Sequence, residues 1–272
     1  MIYGTNSRKK EFDGKCIVAF VDILGFSNEI INKWKRFEED PILRLHNFTS
    51  NVNANISKQL RNIKSEAERD TYYGCKIITF SDSVIITYAF NGEPKIYNFL
   101  VGLYYVLYTT CNVWKIALRN KFTVRGGIDF GEMHWDSKVF AGPAFISAHE
   151  IECKVSISSR ITFGNKLVQE ICNSYFGERK DDILELIIMH ICHLVRPFLY
   201  IDCDEKLILS PQSLYKNESE RIKLIREVEQ MQEECLELKN KLKYVPLLDA
   251  IKQDKIVIKD SDLERIMAKL TK

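Results

Sequence analysis

The 272-residue sequence lacks several features that would assign it to a specialised class of protein. Its eight cysteines include no CxxC pair and lie mostly inside apolar runs, which favours free thiols in a reducing compartment over a disulfide framework. No apolar run approaches the roughly 18 residues that a membrane helix needs. The polar segment 1–13 contains no apolar stretch of the kind found in a secretory signal. We therefore expect a cytoplasmic protein that has no membrane partner.

An excess of charge of one sign is also missing. The 39 lysines and arginines are nearly balanced by 37 aspartates and glutamates, which leaves a net charge of +2. Domains that bind nucleic acid in general are clearly basic, so no direct nucleic-acid partner is expected. Internal repeats and low-complexity segments are absent too, and the 46% apolar content is ordinary for a globular protein with a sizeable core.

Apolar runs and turn residues predict alternating strands and helices between residues 16 and 176. The run CIVAFVD (16–22) is typical of a buried central strand, and it ends in a carboxylate. The runs 75–80 and 83–90 predict a hairpin with Ser81-Asp82 at its tip. The remaining expectations are a helix N-capped by Ser27, a second helix after Pro41, a helix over 93–119, a strand over 122–133, a helix from Gly142-Pro143 to about Cys153, a strand over 160–164 and a helix to about Phe176.

This order of elements predicts an α+β fold with a ferredoxin-like βαββαβ sheet covered by helices. The character of the sequence changes after about residue 178. We expect residues 1–178 to form one domain and residues 179–272 a C-terminal extension. The extension should contain a hairpin within 198–211 and a charged helical segment over 215–243, and it should pack on the domain or on a dimer.

Two aspartates are placed where they can meet at one edge of that sheet. Asp22 ends the first strand and Asp82 lies on the hairpin, and these elements are adjacent in a βαββαβ sheet. Two carboxylates in close approach repel one another, and a divalent cation relieves the repulsion. Backbone N–H groups after Asp22 would suit a phosphate, and two metal ions on a triphosphate allow in-line attack by a ribose hydroxyl. It is equally consistent with the residues alone that Asp22 caps a helix and Asp82 is an ordinary turn residue.

Three segments resemble motifs of the class III nucleotidyl cyclases. FVDILGF (20–26) resembles their first metal motif, FSDS (80–83) their second, and RGGIDFG (125–131) their arginine-glycine strand. The motifs occur in the family's order, and the resemblance covers residues 16 to about 176. It implies a palm domain that binds two Mn²⁺ or Mg²⁺ ions per site. The residues that it implicates are Asp22, Ile23 and Asp82 as metal ligands, Ile23, Leu24, Gly25 and Phe26 as nucleotide-phosphate ligands, and Asp22, Asp82 and Arg125 in catalysis.

Four positions depart from the purine-specific members of that family. Ile78 and Val139 stand where those enzymes carry a lysine and a carboxylate that read the base, and Ile146 and Glu150 stand where they carry asparagine and arginine. With these departures the chain resembles the pyrimidine cyclases of bacterial Pycsar anti-phage systems. That resemblance implies a homodimer with composite active sites that converts UTP to 3′,5′-cyclic UMP. The cyclic nucleotide would act on a separate effector protein. A cytidylate cyclase making cyclic CMP is the alternative.

Other interpretations stay open from the residues. A diguanylate cyclase would share the fold, but its Gly-Gly-Asp/Glu-Glu-Phe hairpin is missing here. A degenerate cyclase homologue that only senses a nucleotide is favoured by the substituted helix positions and opposed by the intact aspartate pair. Arg125 is also consistent with a simple ion pair to Asp129 or Glu132, and Gly126-Gly127 with a kink or a close approach of a base. A zinc site is a minor hypothesis for four residues in an otherwise apolar region, namely His190, Cys192, His193 and Cys203.

Overall fold

The computed structural model describes residues 2–4, 11–34, 40–62, 72–177, 182–235, 237–253 and 256–270. The strands of this part of the chain are β1 (Ile2–Gly4), β2 (Phe12–Ile23), β3 (Tyr72–Phe80), β4 (Ser83–Phe90), β5 (Val124–Trp135), β6 (Phe140–Ala141), β7 (Ile161–Phe163), β8 (Leu199–Ile201) and β9 (Leu207–Leu209). The α-helices are α1 (Phe26–Lys33), α2 (Pro41–Asn62), α3 (Ile96–Arg119), α4 (Pro143–Lys154), α5 (Asn165–Phe176), α6 (Asp182–Val195), α7 (Glu218–Glu233), α8 (Leu238–Leu242), α9 (Val245–Lys252) and α10 (Asp260–Leu270).

The described strands form one mixed sheet in the order β1-β3-β4-β2-β5-β7-β9-β8, and β6 pairs with β5. Strand β2 is central, because it pairs antiparallel with β4 on one side and with β5 on the other. Its inner residues are buried on both faces, which explains why the sequence reads as an unbroken apolar run. The order β3-β4-β2-β5 is that of a βαββαβ sheet, so the predicted α+β class is confirmed.

Helix α3 covers one face of the sheet and is a long, largely apolar helix. Its buried residues join those of β2, β4 and β5 in one core cluster, with Trp114, Leu103 and Leu107 fully buried. On the opposite face α4 packs over β2 and β5, where a second, smaller cluster contains Phe20 and Ala148. The end of β2 that carries Asp22 therefore belongs to a strand held between two packed layers.

The C-terminal extension continues the sheet. The predicted hairpin forms as β8 and β9, and β9 pairs with β7 through Thr162 and Ile208. Buried Arg160 ties this hairpin down, since its guanidinium lies 2.9 Å from Asp202 and 2.8 Å from Asp204. The extension also shares the main apolar core, to which Val228, Leu247 and Leu263 contribute.

Two local expectations need correction, and one gains detail. Ser27 does not cap α1; the cap is Gly25, which has φ +82° and provides no side-chain acceptor. The charged segment 215–243 is largely helical, as expected, and contains α7, which ends at Glu233, and α8, which begins at Leu238. The glycine pair makes no kink, since Gly126 and Gly127 stay in register with Val21 and Phe20. The strand boundaries otherwise differ from the predicted ones by a few residues, most at the start of β2.

Candidate active site

Asp22 and Asp82 come together at one end of the sheet, as the sequence predicted. Asp22 lies opposite Ser83 on β4, and Asp82 is in the two-residue turn that joins β3 to β4. Ser81 takes up a left-handed conformation with φ +54°, which lets that turn close without glycine. The turn is also fastened to the end of β2, because the Ile23 N–H donates to the Asp82 carbonyl at 3.2 Å.

The Asp22 carboxylate is partly buried, and two side chains contact it directly. Its Oδ1 accepts a 2.9 Å hydrogen bond from the Ser83 hydroxyl, and its Oδ2 lies 3.5 Å from Nη2 of Arg125. Burial raises the pKa of Asp22 to about 6, and the negative charges of Asp82 and Glu152 raise it as well. The Ser83 hydrogen bond and the Arg125 charge act in the opposite direction without reversing the shift. The site therefore carries more negative charge than the Arg125 side chain neutralises.

This excess of negative charge fits a divalent cation. Carboxylate oxygens are the ligands that Mg²⁺ prefers, and Mn²⁺ accepts the same set. Because two aspartates converge where water is partly excluded, a bound cation would relieve both the burial penalty and the mutual repulsion. The residues present at this edge thus match the metal that the class III resemblance implies.

The turn after Asp22 only partly matches the expected phosphate cradle. The N–H groups of Ile23 and Leu24 already donate to backbone carbonyls, those of Asp82 at 3.2 Å and Thr123 at 2.9 Å. These two N–H groups are therefore not available to a phosphate, which corrects that part of the expectation. Gly25 and Phe26 begin α1, whose first N–H groups have no acceptor inside the helix and no capping side chain. The donors open to an anion thus start at Gly25.

Arg125 is placed beside Asp22 rather than with the partners considered for it from the sequence. Its Nε lies 2.6 Å from Oε1 of Glu152, a residue of α4 whose side chain is only 3% exposed. Asp129 instead accepts hydrogen bonds from Ser147 and from the Leu167 N–H, so it braces α4 and the start of α5. Glu132 pairs with Lys15 at 2.8 Å. The ion pair of Arg125 with Asp129 or Glu132 was therefore a wrong expectation.

Sequence reasoning missed Glu152 as a residue of the site. On the same helix it considered Ile146 and Glu150 instead, as positions that depart from the resembled family. Glu150 is exposed and pairs with Lys154 at 2.8 Å on the same helix. The sequence did contain a signal for Glu152. It follows Ala144 and Ala148 at intervals of four residues, so the three lie on one face of α4, and that face is buried.

The two residues considered for reading the base lie away from Arg125 in the same chain. Ile78 lies on β3, separated from β5 by two strands. Val139 lies in the turn after Trp135, at the opposite end of β5 from Arg125. Ten residues of strand separate Arg125 from Trp135, which corresponds to about 33 Å at the usual rise per residue. A base pocket that combines these residues with Arg125 would need a second chain.

The minor zinc hypothesis is not supported. His190 and His193 are exposed on α6, Cys192 is buried on the same helix, and Cys203 is exposed between β8 and β9. Within the described residues, the group with metal-ligand spacing is instead His149, Glu152 and Cys153, whose ligand atoms lie within 4.8 Å of one another. Its glutamate is the one already paired with Arg125.

Searches against family models and against curated proteins give no match. Among solved structures, the chain is similar to the adenylyl cyclase CyaB from P. aeruginosa, with a TM-score of 0.42 and 13% identity over 60% of this chain and 83% of that one. It is also similar to a class III adenylyl cyclase-like ATP-binding protein from Pseudomonas aeruginosa (TM-score 0.42, 12% identity, 62% of this chain and 37% of that chain). A bacterial light-regulated adenylyl cyclase gives a TM-score of 0.39 and 13% identity over 70% and 58%. The chemistry of the site therefore has to be judged from its own residues.

In the described part of the chain, no helix combines the length and the apolar composition needed to cross a membrane.

Proposed function

We propose that the chain is a nucleotidyl cyclase that converts a pyrimidine nucleoside triphosphate, with UTP favoured, into a 3′,5′-cyclic monophosphate and pyrophosphate. The observation that carries the proposal is the convergence of Asp22 and Asp82 on one sheet edge, with the pKa of Asp22 raised by burial and by the second aspartate. A module that only binds or dimerises has no evident need for two carboxylates so arranged.

Asp22 and Asp82 would hold the divalent ions, with Ile23 as the further ligand that the resemblance implies. Bound ions would neutralise the triphosphate and make the ribose 3′-hydroxyl a better nucleophile. Gly25 and Phe26 would donate backbone N–H groups to the phosphates at the start of α1. Arg125 would stand beside the α-phosphate, where a guanidinium suits the charge on its oxygens.

In the reaction, the 3′-oxygen forms a bond to the α-phosphorus and loses its proton. The bond from that phosphorus to the oxygen bridging to the β-phosphate breaks, and pyrophosphate leaves with the electron pair. The protein's part is positional and electrostatic: donors and cations fixed before the reaction lie where negative charge develops.

The preference for a pyrimidine rests on Ile78 and Val139. Neither side chain can hydrogen-bond to a base, so the purine-reading pair of the resembled enzymes is missing. A homodimer would bring these residues of one chain towards Arg125 of the other, and the exposed residues Ile146 and Glu150 on α4 lie on the helix expected at that interface. In the Pycsar interpretation, the cyclic product then acts on a separate effector protein during phage infection.

A nucleotide sensor without turnover is the second candidate. It is favoured by the contact of Arg125 with Asp22, because a guanidinium 3.5 Å from the carboxylate supplies part of the positive charge that a metal would otherwise bring. A sensor of this kind would bind a nucleotide and form no cyclic product.

The test is to incubate the purified full chain with each of the four ribonucleoside triphosphates and Mn²⁺, and to identify the products by mass spectrometry. Cyclic UMP or cyclic CMP is the expected product and names the substrate. Cyclic AMP or cyclic GMP as the main product would overturn the pyrimidine assignment. Nucleotide binding without any cyclic product would favour the sensor.

A further inference from the structure

A cavity of about 360 Å³ lies between the turn after β2 and the C-terminal extension. Leu24 and Gly25, which directly follow the metal-site strand, form one wall. Lys243 and Tyr244, from the segment between α8 and α9, form part of the opposite wall. The extension thus encloses the space next to the donors at the start of α1.

The backbone of Lys243 is fixed at the end of the strand that carries Arg125. The Lys243 carbonyl accepts a 2.9 Å hydrogen bond from the N–H of Ser159. The Ser159 hydroxyl in turn bonds to the hydroxyl of Thr123, directly before β5. Lys243 is therefore held near the catalytic edge although it lies more than a hundred residues beyond it in the sequence.

The cavity is lined by charged side chains of both signs, and Lys243 is one of them. Arg44 is ion-paired with Glu29, while Glu234 and Glu237 each accept a hydrogen bond from a nearby amide side chain. Among the ion pairs of the described residues, none involves Lys243. Burial lowers the pKa of Lys243, and the positive charge of Arg125 lowers it further. The negative charges of Cys235 and Glu237 act in the opposite direction without reversing the shift, and an anion in the cavity would offset the burial and the repulsion further.

We infer that Lys243 binds the β- and γ-phosphates of the nucleoside triphosphate, so that the C-terminal extension completes the phosphate end of the active site within the same chain. This inference rests on the proposed cyclase function. The chemistry agrees with it, because pyrophosphate gains negative charge as the bond to the α-phosphorus breaks, and an ammonium group beside it stabilises that charge. The extension would thereby act as a wall of the active site in addition to its packing role.

The experiment compares Lys243→Gln with Lys239→Gln in the full chain. Lys239 is an exposed lysine of α8 outside the cavity lining, so its substitution removes the same charge from the same segment. Two quantities are measured: the KM and kcat of the triphosphate that the wild type cyclises, and the affinity for inorganic tripolyphosphate with Mg²⁺ by calorimetry. Circular dichroism and thermal unfolding confirm that both variants are folded, and Lys243→Arg tests for rescue.

We expect Lys243→Gln to raise KM and to weaken tripolyphosphate binding by roughly tenfold or more, the usual loss for a hydrogen bond to a charged group. Lys239→Gln should match the wild type, and Lys243→Arg should recover part of the affinity. Equal effects of Lys243→Gln and Lys239→Gln on both quantities would overturn the inference while leaving the cyclase function standing. If the wild type makes no cyclic product but binds tripolyphosphate, and Lys243→Gln loses that binding, the phosphate site is kept and the cyclase function is rejected. If the wild type neither cyclises nor binds tripolyphosphate, both proposals fail.

Discussion

Nε of Arg125 lies 2.6 Å from Oε1 of Glu152, and Nη2 of the same guanidinium lies 3.5 Å from Oδ2 of Asp22. One arginine on β5 therefore links a buried glutamate of α4 to the first of the paired aspartates. Since Glu152 is almost fully buried, the contact with an oppositely charged group offsets part of the cost of burying it. The packing of α4 is in this way coupled to the electrostatics of the candidate metal site.

Glu152→Gln should weaken Mn²⁺ binding by roughly tenfold, equivalent to about 1.4 kcal/mol. Without the glutamate charge, Arg125 is free to pair more closely with Asp22 and to compete with the cation there. Titration of Mn²⁺ followed by electron paramagnetic resonance measures the change. Glu150→Gln is the matched control on the same helix, because Glu150 is exposed and pairs only with Lys154 among the described residues. Indistinguishable affinities for the two variants would contradict the proposed coupling.

Asp22→Ala and Asp82→Ala should each abolish cyclic-nucleotide formation and leave the fold intact. Either substitution removes a carboxylate that would hold the divalent ions, while the surrounding strands keep their pairing. Product formation and far-ultraviolet circular dichroism are the two measurements. Asp13→Ala serves as the control, since Asp13 is an exposed residue at the other end of β2. Retained turnover in both site variants would exclude the metal assignment.

Asp22→Asn should stabilise the metal-free protein at pH 7.5 but not at pH 4. Burial raises the pKa of Asp22 to about 6 in the folded chain, above its ordinary value near 3.9 in the unfolded chain. The folded state then binds more protons between about pH 4 and pH 6, so the free energy of unfolding of the wild type falls as the pH rises through that window. The loss is on the order of 3 kcal/mol above pH 6.

Thermal unfolding in a chelator at the two pH values measures this effect. The asparagine variant lacks the ionisation, so its melting temperature should exceed that of the wild type at pH 7.5 and match it at pH 4. Saturating Mn²⁺ should reverse the order at pH 7.5 by stabilising only the wild type. A difference of the same size at both pH values would mean that ionisation of Asp22 is not its cause.

Gly127→Ala should destabilise the protein by more than about 2 kcal/mol, as expected for overpacking against a rigid backbone. A Cβ atom at this position would lie 2.1 Å from the carbonyl oxygen of Ala148, so α4 would have to move away from β5. Urea unfolding measures the change. Gly131→Ala is the control on the same strand, because its Cβ would meet Ala144 at ordinary contact distances of 3.7 Å and more. A loss no larger than that of the control would contradict the close approach of the helix.

The sequence alone determined the sheet and the meeting of the two aspartates. The apolar run before Asp22 and the two runs on either side of Asp82 are typical of buried strands. The order of strands and helices then predicts a βαββαβ sheet. Because side-chain periodicity and turn residues are local signals, they can be read without knowing any long-range contact. The adjacency of Asp22 and Asp82 then follows from the topology.

Only the tertiary structure decided which side chains surround that pair. Glu152 reaches Arg125 because Gly127 lets α4 pack close to β5, and Lys243 reaches the same edge because its carbonyl binds the N–H of Ser159. Neither contact leaves a local pattern in the sequence, since both depend on how distant elements pack. The donors of Ile23 and Leu24 were assigned wrongly for the same reason: their acceptors, the carbonyls of Asp82 and Thr123, come from other parts of the chain.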